Sequence, residues 1–584
     1  MKNVIKYLKK YYSILLLILL IIFHAINNYN WLRLDMQPPL WCDQVGYLTQ
    51  SLCAYKAVHI FSINQLIHTI FDFMQGTLHP PYSPFIYFLG SAIIGIRPPL
   101  VSFLAIPFYS LAGTSPDVAY MSNILYFTIL LCSVYGITKR TSNRKIGLLS
   151  AFIVSTFPMI FGMSRQFLMD LPLTAMVSLS IYFLLCTDHF KNRAYSILFG
   201  ISVALGLLTK PSYLFFVLFP FVYIIKNDIK IMKMLLYPKQ FLSELKQRKS
   251  ILNIVFATVI AVSLASIWYI PNLKTIFWLH SVNRGGEGLS LINLQSILFY
   301  PLGMINYQIS FLYLLTLIIL TLFYMINPHQ RFKYSIRKSD EIMILILWII
   351  IPYLIFTFYF PVKELRYLLP STPPIAIVIS AMISRINSKY AKGVIIIILL
   401  LGSMQFFALT YGTKALPKEI QIKTTMPEPL NKVVLFSQEN RCGTYPKFWE
   451  VSWTYPPGKE NWKISDIIDI ISESIAKDTP KVCIISHCER FHSGTFRYYR
   501  ILHDKRDMLF CHPRYLQFKE NIQDYDSVIV KNRNNCDAFH LCDEINKTYD
   551  FFLNNSKNFT MIRSLPLPDG SDVSIYIKTD KKGL

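Results

Sequence analysis

The residues best suited to chemistry lie in a few short stretches. Asp43 stands in Pro38-Pro39-Leu40-Trp41-Cys42-Asp43-Gln44-Val45-Gly46-Tyr47, where a stiff proline pair and an aromatic precede a carboxylate. A rigidly mounted carboxylate suits general-base work, because it must come within about 3 Å of the proton's donor. On position alone, capping of the following helix, Gln44 to Leu52, accounts for Asp43 better, and Asp35 is either a second acid of the site or loop solvation. Lys210, in Gly206-Leu207-Leu208-Thr209-Lys210-Pro211, puts an ammonium between two apolar runs with a helix-breaking proline behind it. Such a charge is expensive unless it meets an anion; snorkelling to lipid phosphate is the competing account.

A second group has the same logic. Pro361-Val362-Lys363-Glu364-Leu365-Arg366-Tyr367-Leu368-Leu369-Pro370 offers Arg366 for bidentate phosphate recognition, Tyr367 for a hydroxyl and Lys363 for a second cation, or else a local charge cluster without function. Asp170 closes Ser164-Arg165-Gln166-Phe167-Leu168-Met169-Asp170, where a helix cap or a pair with Arg165 is the alternative to a role in a site. The stretch His280-Ser281-Val282-Asn283-Arg284-Gly285-Gly286-Glu287-Gly288 reads as a lid carrying Arg284 or as a flexible loop. A divalent metal is compatible with these residues, but no clear ligand set supports one, since His79 and His280 stand alone in loops.

The elements that must position these residues follow from composition. Of 584 residues, 53% are hydrophobic and 16% charged, well below the roughly 25% charged of a soluble domain. The net charge of +24 divides unevenly: Met1 to Thr410 carries 33 basic and 12 acidic side chains, and Tyr411 to Leu584 carries 25 and 22. The excess falls in short clusters between apolar runs, at Lys139 to Lys145, Lys191/Arg193, Lys226 to Lys249, Arg331 to Lys338 and Arg385 to Lys392. This is the positive-inside pattern of a polytopic membrane protein, and it argues against a nucleic-acid partner.

Apolar runs near the 20 or so residues needed to span a bilayer occur at 12–27, 82–96, 98–113, 117–138, 146–164, 171–187, 194–209, 211–225, 251–271, 307–326, 342–360, 366–383 and 393–410. The expected fold is therefore a helical membrane protein of about 11–13 spans, the number depending on whether the short runs 82–96 and 98–113 cross, followed by a soluble α/β domain. The N-terminus is expected in the cytoplasm as a retained anchor, because no small-residue cleavage site follows the first run. The membrane part is then 1–410, with a first outer loop at 28–81, and the outer domain is 411–584. In that loop the pairs Ile60-Phe61, Leu66-Ile67, Ile70-Phe71 and Phe73-Met74 suit a helix lying on the membrane or an ordinary packed helix.

In the outer domain, strand-like runs (Val433–Phe436, Val482–Ile485, Ser527–Val530, Val573–Ile577) alternate with helix-like ones (Ile464–Ala476, Thr495–His503, Asp543–Leu553), closing through a hairpin at Pro568-Asp569-Gly570. Six cysteines here, Cys442, Cys483, Cys488, Cys511, Cys536 and Cys542, with Cys42 and Cys53 in the first loop, suggest disulfides on the oxidising side.

Taken together, Trp41-x-Asp43-x-x-x-Tyr47, the turns His79-Pro80-Pro81 and Arg97-Pro98-Pro99-Leu100, Phe157-Pro158 through Arg165 to Asp170, Gly200 through Gly206 to Lys210, and Arg366 to Pro370 resemble, in order and spacing, the polytopic GT-C glycosyltransferases. Within these, they resemble in particular the group that includes protein O-mannosyltransferases and lipid A aminoarabinose transferases. The resemblance implies an inverting hexosyl or pentosyl transfer on the outer face, from a polyprenyl-phosphate sugar to a lipid, glycan or protein hydroxyl. It implies Asp43 as the base, with Asp170, Lys210 and Arg366 ordering the site or holding the lipid phosphate; Lys363, Tyr367, Arg284 and His79 complete the expected substrate-binding set. Many relatives carry Asp-Glu at the first-loop acid pair, whereas Asp43 is followed here by Gln44. A transporter or flippase of a lipid-linked saccharide is the alternative, although such a protein would be expected to show repeated halves and mid-membrane charges.

Overall fold

The computed structural model describes residues 2–40, 42–60, 97–232, 249–285, 292–326, 336–386, 388–425, 432–438, 440–442, 451–505, 507–512, 514–537 and 539–579. Up to Tyr411 the described chain is helical, and from Glu419 onward it forms sheets packed with helices. Among the described residues five helices are long and apolar enough to cross a membrane, at Tyr11–Leu34, Pro116–Thr141, Lys249–Trp278, Asp340–Phe358 and Tyr390–Tyr411. Two bent pairs and the shorter apolar helices Leu100–Ala112, Asp170–Cys186, Arg193–Leu207 and Pro211–Lys226 account for more of the apolar runs. The chain is an integral membrane protein. The run 82–96, His79 and the amphipathic stretch beyond Ile60 lie outside the described residues.

Local chemistry sets the breaks. Ser115 caps Pro116–Met121 by accepting from the Val118 amide at 3.2 Å, with Pro116 at the first helical position, where a missing N–H costs nothing. The run 146–164, expected as one span, is two helices, Arg144–Ser155 and Pro158–Met163. Proline at 158 forces Phe157 out of the helical region (ψ 124°), and a second helix starts at Pro158. Around the run 307–326, the helical stretch Leu294–Gln308 meets Phe311–Ile326 at 110°, with Ser310 at φ +74° in the turn. The run 366–383 likewise bends by 44° between Leu365–Ser371 and Pro373–Ile383. The first helix continues to Leu34, past residue 28 where a loop is expected to begin, and Lys249–Gly285 stays helical through His280, which is expected in a loop.

The largest sheet has the order β6-β5-β7-β9-β8, with β5 (Lys481–Ile485), β6 (Leu509–Cys511) and β7 (Ser527–Asn532) parallel. The pair β8 (Phe559–Pro566) and β9 (Asp572–Lys578) is antiparallel. The β8–β9 connection is the expected turn: Gly570 takes φ +77° and the Leu567 amide donates to the Ser571 carbonyl at 2.8 Å. Two small hairpins, β1–β2 (Glu419–Lys423, Lys432–Ser437) and β3–β4 (Asn440–Cys442, Val451–Thr454), precede it. The helices Ile464–Ser474, Ser493–Leu502 and Phe539–Asn555 fall where periodicity placed them.

Among the described cysteines one disulfide forms, Cys536–Cys542; Cys53, Cys483, Cys488 and Cys511 are free, contrary to a fully paired set. Cys483 and Cys511 oppose each other in the β5–β6 register yet stay reduced, and Cys483 is fully buried in an apolar cluster. There it serves as a small apolar residue.

Candidate active site

The sheet-bearing segment holds the helix that carries Asp43. The Met36 amide donates to the Gly458 carbonyl at 2.7 Å, the Gly458 amide donates to Asp35 Oδ1 at 2.9 Å, and Arg490 Nη1 donates to the Pro38 carbonyl at 2.8 Å. The indole of Trp31 donates to the Tyr455 carbonyl at 3.1 Å. Farther along, Lys56 donates to the Ile501 carbonyl and pairs with Asp504. The segment 35–40 is thus pinned on one side, and Cys42–Ile60 packs against Ser493–Leu502. Asp35 is a structural acid of this interface. Withdrawal from water raises its carboxyl to about 6, against the opposing pull of Arg490 and the Gly458 amide.

Asp43 occupies the first turn of Cys42–Ile60 and faces cations from two distant parts of the chain. Arg366 Nη2 donates to Asp43 Oδ2 at 2.8 Å, and Arg97 Nη2 lies 3.4 Å from Oδ1. Partial withdrawal from water works against ionisation, but Arg366 and Arg97, with Lys210 behind them, outweigh it and hold the carboxyl down at about 2. The side chain keeps 45% of its surface exposed, so the carboxylate remains reachable. Arg97, just before Pro98-Pro99, also covers the Tyr47 ring at 4.4 Å from its centroid.

Arg366 sits among three acids: Asp43, Glu364, to which its Nε donates, and Asp170, whose Oδ2 is 3.7 Å from Nη1. Asp170 is 1% exposed, and its other oxygen accepts from Lys210 Nζ at 2.8 Å. Tyr367 donates to Glu364 Oε1 at 3.1 Å, while its ring lies 5.0 Å below the Lys210 ammonium. The expected cap does not form: Asp170 opens Asp170–Cys186 without a side-chain cap bond at Met169. Nor does Asp170 pair with Arg165, which is buried among Trp31, Phe161 and Phe406 and donates to Asn28 and Thr410.

Asp43, Asp170, Lys210, Arg366 and Tyr367 therefore converge, and Lys363 stands apart. Its ammonium is fully buried and donates to the carbonyls of Phe356, Thr357 and Phe360 at 2.9, 2.7 and 3.1 Å, satisfying the end of Ile336–Phe358. The Arg284 side chain lies outside the described residues, as does His79. Two members of the cluster, Arg97 and Glu364, were not singled out as site residues. Arg97 is visible in the sequence as a cation before a proline pair, within one of the turns that carry the resemblance, and Glu364 as a neighbour of Arg366.

Gln44 links the two acid-bearing elements. It is buried, its Nε2 donates to the Tyr120 hydroxyl at 3.1 Å, and its Oε1 accepts from the Phe167 amide at 3.1 Å, three residues before Asp170. Among the described residues no group of three or more His, Cys, Asp or Glu side chains is arranged to hold a metal ion. Asp43, Asp170 and Glu364 instead share a guanidinium.

Residues 96–268 match the family model for Dolichyl-phosphate-mannose-protein mannosyltransferase. No curated protein matches the chain by sequence. In three dimensions the chain is similar to ArnT from Cupriavidus metallidurans in the apo state, at TM-score 0.52 and 11% identity, covering 96% of this chain and 97% of that one. The same protein bound to undecaprenyl phosphate gives TM-score 0.53, 11% identity and the same coverage. The near-complete coverage extends the likeness through the sheet-bearing segment, so the expected GT-C fold is the observed one.

Proposed function

We propose that this GT-C-fold chain is an integral-membrane inverting glycosyltransferase that moves a sugar from a polyprenyl-phosphate donor to an acceptor hydroxyl on the outer membrane face. The observation that carries this reading is one accessible carboxylate, Asp43, set against the cations Arg97, Arg366 and Lys210. The match to the mannosyltransferase family model and the likeness to an enzyme bound to undecaprenyl phosphate support the donor class. The positive-inside distribution supports a cytoplasmic N-terminus, with the site and the C-terminal domain outside.

The chemistry is coherent. Asp43 takes the proton of the acceptor hydroxyl as its oxygen attacks the anomeric carbon, and the sugar–phosphate bond breaks on the opposite side. The lipid phosphate leaves as an anion, and Arg366, Lys210 and Arg97 stabilise the charge developing on it. A phosphate monoester leaves without a protonating acid.

A carboxyl held at about 2 is a weak base. The donor itself corrects this: its phosphate competes with Asp43 for the guanidiniums, and as they turn to the phosphate the carboxylate loses its partners and becomes more basic. Asp170 and Glu364 keep Arg366 in place during the exchange. Lys363 fixes the backbone ahead of Glu364, and Arg284 and His79 stay in the substrate-binding set expected from the sequence.

The test is a vesicle assay with the full chain and a polyprenyl-phosphate sugar, comparing wild type with Asp43→Asn. Sugar transfer that disappears in the variant supports the reading, and undiminished transfer removes Asp43 as the base. Movement of intact lipid-linked sugar across the bilayer, without bond cleavage, overturns the transferase in favour of a transporter.

A further inference from the structure

We propose that the groove between the helices Asn123–Thr141 and Asp170–Cys186, at the end away from Asp43, is a binding site for an anionic glycerophospholipid. A cavity of about 550 Å³ opens there, floored by Ile129, Leu179 and Gly136 and ending at Lys139, Arg140 and Tyr195. Gly136 lets Tyr182 pack close to the helix Asn123–Thr141: a Cβ at this position would lie 2.6 Å from the Tyr182 ring, so the ring rests on bare backbone. The groove is an apolar slot with cations at one end, which is the chemistry of an acyl chain beneath a phosphate.

The two cations differ. Arg140 shares its charge with Glu341, whose Oε1 is 3.5 Å from Nε. Lys139 is exposed, lies 5.8 Å above the Tyr135 ring and forms no ion pair with a carboxylate among the described residues. Its ammonium is left for a headgroup. The end of the bundle also carries the basic residues Arg144, Lys145, Lys191 and Arg193, and anionic leaflets concentrate on such surfaces.

Distance separates this lipid from the proposed donor. Asp170 opens its helix and the groove residues Tyr182 and Cys186 lie at its far end; over 17 residues the helix runs about 25 Å at 1.5 Å per residue. A phosphate at Lys139 cannot also lie beside Asp43, so the occupant is a resident lipid. The inference is independent of the reaction assigned above.

Two free cysteines, Cys132 and Cys186, line the groove, and Cys132 is exposed. Their alkylation by a membrane-permeant maleimide therefore reports occupancy. Phosphatidylglycerol titrated into the detergent-solubilised full chain should slow labelling of Cys132 several-fold and leave Cys511, in the sheet, unaffected. Phosphatidylcholine should not protect, Lys139→Gln should abolish the protection, and Lys139→Arg should retain it. Equal protection by phosphatidylcholine, or full protection in Lys139→Gln, overturns the site as a specific one. Protection by undecaprenyl phosphate but not by phosphatidylglycerol overturns the glycerophospholipid.

Discussion

Arg366 donates to Asp43 at 2.8 Å across 323 positions of sequence. The contact joins the helix Cys42–Ile60 to the turn before Pro373–Ile383 and places a candidate base against a candidate phosphate ligand.

Asp43→Asn keeps the shape of the side chain and removes its basicity. Transfer should fall by about 10²–10⁴-fold, the usual worth of a general base, while donor binding persists because Arg366 remains held by Asp170 and Glu364. Single-turnover transfer alongside equilibrium donor binding separates the two effects.

Lys210→Met leaves Asp170 buried with Arg366 Nη1 at 3.7 Å. Breaking such a pair costs about 3–5 kcal/mol when fully buried, and less here because the lysine is 21% exposed. Asp170→Asn/Lys210→Met should be less destabilised than the two single changes combined, a non-additivity that thermal unfolding of all four proteins measures.

Gln44→Ala removes the partner of both the Phe167 amide and the Tyr120 hydroxyl. The expected loss is about 1–3 kcal/mol for polar groups left unpaired in the interior. Gln44→Glu keeps an acceptor for the Phe167 amide, and the Tyr120 hydroxyl, which accepts from Nε2 in the wild type, can turn to donate to the second oxygen, so this variant should lose less by the same measurement.

Two carboxyls give opposite pH dependence. Asp43 has its pKa lowered from 3.8 to about 2, so its contribution is complete above 3.8 and is lost as pH falls through 2. Asp35 has its pKa raised from 3.8 to about 6, so its contribution is complete below 3.8 and is lost as pH rises through 6. Asp35→Asn should therefore flatten the fall of the unfolding midpoint between pH 4 and pH 7.

Cys536–Cys542 closes a loop of six residues, for which the chain-entropy account gives about 2 kcal/mol. Cys536→Ser/Cys542→Ser should lose roughly that amount, by denaturant titration. Peptide mapping after alkylation without reductant should find Cys53, Cys483, Cys488 and Cys511 modified once the chain is unfolded; their absence from the labelled set contradicts the free thiols.

Much of the fold was legible because bilayer insertion and sheet burial leave their period in the chain itself. Four strand-like runs and three helix-like runs appear after Tyr411 at nearly the expected bounds. Proline made one of the errors: Pro158 divides a run that hydropathy alone joins, because hydropathy averages over a break that backbone geometry enforces.

The sequence by itself determined that this is a membrane protein, where its apolar segments fall, and which few charged residues deserved notice. It could do so because each of these is a local property of composition, period or spacing. Only the tertiary structure decided the partners. It gave Asp170 to Lys210 rather than to a cap or Arg165, placed Arg97 and Glu364 in the cluster, and turned Lys363 toward the carbonyls that end Ile336–Phe358. A charge near a bilayer must find a counter-charge or a hydrogen bond, but the residue that supplies it is chosen by how helices distant in sequence pack together.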